Sequence, residues 1–83
     1  MNEPIEEGKE SLKGWYLGQI EESKEYIRLD KECISTLNTI RENHPENWKI
    51  VETCRELIFH YVKEIKEEVR EIESLRKTIN QLS

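Results

Sequence analysis

From Val51 to Ile79 an apolar residue returns at every seventh position: Val51, Ile58, Ile65, Ile72 and Ile79. Cys54, Tyr61, Val62, Val69, Leu75 and Leu82 fill the turns between and beyond them. This heptad spacing predicts one continuous helix of about 36 residues, roughly 54 Å long. A helix of that length leaves room for one comparable partner in the same chain.

The upstream half carries two apolar stripes rather than one. Tyr16, Ile20, Ile27, Ile34 and Leu37 make the first, interrupted by Ser23 and Asp30; Trp15, Tyr26, Leu29, Cys33, Thr36 and Ile40 make the second. Two adjacent stripes form an arc wider than a single neighbouring helix covers. Between the halves, Asn43-His44-Pro45-Glu46 breaks the periodicity. Pro45 cannot continue a helix but suits the first turn of a new one, where Glu46 complements the positive end of the helix dipole and His44 serves as a cap. Asn43 is a tolerated terminator.

So short a connection predicts an antiparallel hairpin. The expected boundaries are an acidic tail or first helical turns over 1–10, helix 1 over about 11–42, a turn near 43–45 and helix 2 over about 45–80, with 11–83 forming the hairpin. Helix 1 has three candidate starts, at Pro4, at Ser11 or after Gly18. Gly14 and Gly18 suggest a frayed segment or a tight helix crossing. A turn centred on His44 sets Leu37 against Val51, Ile34 against Cys54, Ile27 against Tyr61 and Val62, and Ile20 against Val69. Cys33 and Cys54 then share one level, and Asp30 faces Ile58. Helix 2 repeats the apolar surplus of helix 1, with Trp48, Phe59 and Val62 flanking its seam. The economical architecture is all-α: a long antiparallel hairpin that dimerises into a four-helix bundle and buries both arcs.

Composition fits this picture and narrows the chemistry. Eighty-three residues make one domain; 37% are charged, 35% belong to the hydrophobic set, and only three glycines and two prolines occur. The mean hydropathy of -0.85 would suit a disordered chain, but disorder does not require helical periodicity. The net charge of -5 weighs against nucleic acid and anionic lipid as partners. Much of it lies in Glu3, Glu6, Glu7 and Glu10, where Lys9 is the sole opposing charge. No run approaches the ~20 apolar residues of a membrane span, and the acidic start lacks a signal-peptide pattern. The expectation is a cytoplasmic protein with no membrane contact, its cysteines reduced and serving as small core residues.

The polar residues offer little for catalysis. Glu68 occupies a core-type position with Ser23 nearly opposite, and Asp30 interrupts the first stripe; carboxylates at such places are expected at the seam's solvent edge. Glu22-Glu25, Glu64-Glu67 and Glu68-Glu71 have the spacing of metal-binding pairs. Basic residues three positions on, as in Glu21-Lys24, Glu25-Arg28, Glu67-Arg70 and Glu73-Arg76, mark a self-paired solvated face instead. His60 has Glu56 and Glu64 one turn away, the ordinary arrangement of an exposed helix face. No nucleophile–base order and no glycine-rich phosphate loop is present. The sequence therefore reads as a non-enzyme with no cofactor, no metal and no catalytic residues.

What remains is surface. Trp15, Tyr26, Leu29, Cys33, Ile40, Trp48, Phe59 and Val62 are the candidate dimer or partner interface, because aromatic anchors dominate protein interfaces. The expected function is a small dimeric protein that binds and regulates or inhibits another protein. A structural coiled-coil subunit of a larger assembly is one alternative. The other is a nucleic-acid-binding hairpin dimer that uses Lys63, Lys66, Arg70 and Lys77, against which the net acidity argues.

Overall fold

A computed structural model describes the backbone of residues 3–82 and the side chains of residues 8–82. Two helices make up the fold: α1 (Glu3–Asn43) and α2 (Trp48–Leu82). They pack along their length as an antiparallel all-α hairpin measuring 71 × 14 × 12 Å. The α1 helix alone, at 41 residues, spans about 62 Å.

The start of α1 resolves the choice among Pro4, Ser11 and Gly18 in favour of the first. Pro4 lies in the opening turn, where its missing N–H costs nothing. The acidic segment thus forms helical turns rather than a tail; the side chains of Glu3, Glu6 and Glu7, and residues 1 and 2, lie outside the described residues. Gly14 and Gly18 neither fray the helix nor serve a crossing. A Cβ built at either meets nothing within 4 Å.

The turn differs from expectation. Pro45 and Glu46 sit before α2 rather than in its first turn, and His44 does not cap it. Asn47 does: its Oδ1 accepts the Ile50 amide at 3.2 Å, and its carbonyl accepts the Val51 amide at 3.0 Å. An Asn side chain is among the strongest N-caps, which draws the start of α2 to Trp48. The linking turn closes with the His44 amide on the Arg41 carbonyl and the Asn47 amide on the His44 carbonyl.

The later pivot slides the two helices by about one and a half turns relative to the expected register. Ile20 packs with Ile72 and Leu75 rather than with Val69, and Tyr16, Ile27 and Ile79 close around them. Val69 is exposed. Cys33 lies beside Tyr61 rather than level with Cys54, and both thiols are free. Asp30 sits near Glu64, Glu68 and His60, not Ile58.

The core is thin. Among the described residues only Ile20, Cys54, Ile72 and Leu75 are buried apolar residues, joined by Ser23. The radius of gyration is 19.3 Å, against about 12 Å for a compact chain of this length. The accessible surface is 6561 Å², where a compact protein of 10.0 kDa exposes about 5,200 Å². Among the described residues eleven large apolar side chains are exposed, and their arrangement defines the candidate surfaces.

Candidate interaction surface

The second stripe of α1 is left uncovered by the hairpin, as the width of the arc required. Trp15 keeps 59% of its surface exposed; Tyr26, Leu29 and Ile40 are exposed with it, and Leu12 extends the row. Cys33 is half-buried at its edge. Trp15 stacks edge-on against Tyr16, with ring centroids 5.2 Å apart, so it is anchored at its inner side only. Spacings of three, four and seven from Tyr26 hold Leu29, Cys33 and Ile40 on one side of α1.

The opposite helix also leaves its surplus outside. Trp48 and Phe59 are 76% and 73% exposed, and Val62 and Val69 are exposed beside them. The two stripes do not share a face. Tyr26 lines a groove with Asp30, Glu64, Glu67 and Glu68, which puts the α1 stripe on the side of the hairpin where α2 shows Glu64. Phe59 and Val69 lie five residues either side of Glu64, about 140° round α2 in each direction. The α2 stripe is therefore on the opposite broad face. A single second copy laid on one face cannot bury both, as the four-helix-bundle expectation supposed.

The two faces differ in charge as well as in position. Beside the α1 stripe, α2 presents Glu64 and Glu67, with Asp30 and Glu68 in the groove floor and no Lys or Arg in the lining. The Tyr26 hydroxyl donates to Glu22 at 3.1 Å, and this hydrogen bond to a carboxylate raises the phenol's pKa. Burial, then the Glu64 and Glu68 charges, pushes the Asp30 carboxyl above its ordinary range, offset in part by His60. Glu64 also reaches His60, Nε2 to Oε1 3.1 Å.

This gathering of carboxylates was not expected, because the sequence register set Asp30 against Ile58. The signal was the Glu64-Glu67 spacing, legible only once the register was known. Among the described residues no three or more His, Cys, Asp or Glu converge closely enough to hold a metal ion. The groove is an electrostatic surface in an otherwise apolar row.

Outside the groove, charges pair along each helix. Glu21 meets Lys24 at 3.3 Å; Arg28 joins Glu25 and, at 2.6 Å, Glu32. The Arg28 hydrogen bond lowers the Glu25 pKa. Lys63, Lys66, Arg70 and Lys77 are all exposed on α2, interleaved with Glu67, Glu71 and Glu73.

No protein-family model matches the chain, and no curated protein or solved structure matches it significantly. Among the described residues no helix is long and apolar enough to cross a membrane.

Proposed function

We propose that this chain is a small dimeric helical protein that binds, and thereby regulates or inhibits, another protein, without catalysis of its own. The observation that carries this reading is the exposed row Trp15, Tyr26, Leu29 and Ile40, which stays uncovered after the hairpin has closed. Large aromatic and aliphatic side chains in a contiguous row are the usual anchors of a protein interface. The thin core supports association too, since the two helices leave many large apolar side chains exposed.

The acidic groove beside the row favours a basic partner. A basic amphipathic segment would set its apolar side on Tyr26 and Leu29 and its Lys or Arg side chains against Glu64 and Glu67. Apolar contact supplies affinity, and the carboxylates supply selectivity and orientation.

Affinity capture from the host lysate tests this, comparing wild type with Trp15→Ala/Leu29→Ala and with Glu64→Lys/Glu67→Lys. A protein retained by wild type and released from both variants, at unchanged helicity, is the expected result. Equal capture by all three would remove this face from the interaction.

A further inference from the structure

The outer stripe of α2 has a symmetry that bears on its occupant. Its positions alternate four and three residues apart from Trp48 to Asn80, the spacing by which one helix seats against another, and every one is exposed. Taken from its two ends toward Glu64, the stripe sets Trp48 against Asn80 and then matches Glu52 with Arg76, Arg55 with Glu73, Phe59 with Val69 and Val62 with Lys66.

From this we infer that a second copy of the chain docks antiparallel along this stripe, about a two-fold axis level with Glu64. Each of those matched residues then faces the other across the interface. Arg55 and Glu52, which reach one another at 3.8 Å within one chain, turn on docking to the second copy's Glu73 and Arg76; the two-fold repeats both contacts. Phe59 and Val69 cover one another on either side of the axis, and the Lys66 stem lies over Val62 with its ammonium in water. The inference rests on the dimeric reading above and assigns the face.

Charge weighs against two other arrangements about the same level. A parallel pair along the same stripe would set Glu52, Arg55, Glu73 and Arg76 each against its own copy. An antiparallel pair on the α1 face would crowd Glu64 and Glu67 of both copies around the axis, with no basic residue in the groove to separate them. On the α2 face, α1 contributes Lys24 and Arg28, which pair along their own helix with Glu21, Glu25 and Glu32. Surface ion pairs contribute little affinity singly; here they set direction, while Phe59, Val62 and Val69 supply the burial. The α1 face remains free for a partner of a different kind.

Charge exchange tests the arrangement by sedimentation equilibrium. Arg55→Glu/Arg76→Glu makes the four charges acidic, and Glu52→Arg/Glu73→Arg makes them basic. Each variant alone should dimerise about tenfold more weakly than wild type or worse, corresponding to about 1.4 kcal/mol. An equimolar mixture should recover the wild-type affinity as a heterodimer. A chain carrying all four exchanges should dimerise as wild type does, which separates lost pairing from lost folding. Wild type and both variants dimerising equally would overturn the face assignment alone. A wild type that stays monomeric would overturn the dimeric reading itself.

Discussion

Asp30 shows most directly how position sets the behaviour of a single side chain. It interrupts the apolar row of α1, and burial together with Glu64 and Glu68 makes its charged form unfavourable, with His60 partly compensating. A carboxyl whose pKa is raised in the folded state binds its proton more tightly there than in the unfolded chain. Its contribution to stability is therefore full below its unfolded value near 3.8 and is lost as pH rises through the folded value. Asp30→Asn removes the repulsion permanently. We predict that it raises Tm at pH 7 by about 2–5 °C, and that thermal melts show the gain fading as the buffer is acidified toward 3.8. A variant less stable than wild type at neutral pH would mean that the charged carboxylate is held by favourable contacts. Glu25 runs in the opposite sense, because Arg28 lowers its pKa: its contribution is present at neutral pH and lost on acidification, and exposure keeps it small.

At the scale of the helices, periodicity carried the prediction far, and local chemistry decided the rest. Val51, Ile58, Ile65, Ile72 and Ile79 all line the seam or its edge, and the break around Pro45 falls where the helices part. The residues left outside were also legible, since Trp15, Trp48 and Phe59 do not fit the seam spacing and are exposed. Register was not, because it depends on which residue caps α2. Asn47 outcompetes His44, the pivot moves, and every cross-helix pairing moves with it. The Asp30 groove was hidden for the same reason, since it exists only in the observed register.

Gly14 and Gly18 suggest a fray or crossing by sequence, yet the helix runs through both with open space around them. With no contact to lose, Gly14→Ala and Gly18→Ala should each stabilise the hairpin by about 0.5–1 kcal/mol through the lower entropy of the unfolded chain. Urea denaturation measures this directly. Destabilisation by either would indicate that the small residue is needed for an approach from outside, such as a docked partner.

At the scale of the whole molecule, the hairpin is a rod with two unlike faces. One carries an apolar row beside carboxylates; the other carries an apolar row whose flanking charges match themselves in reverse. The core between them is thin, and on the proposed reading a second copy adds the burial that one hairpin lacks. The mass of the chain in solution tests that association. Sedimentation equilibrium of wild type at micromolar concentration should give about 20 kDa, twice the 10.0 kDa of one chain, with a melting temperature that rises with protein concentration. A 10.0 kDa species that melts cooperatively and independently of concentration would contradict it.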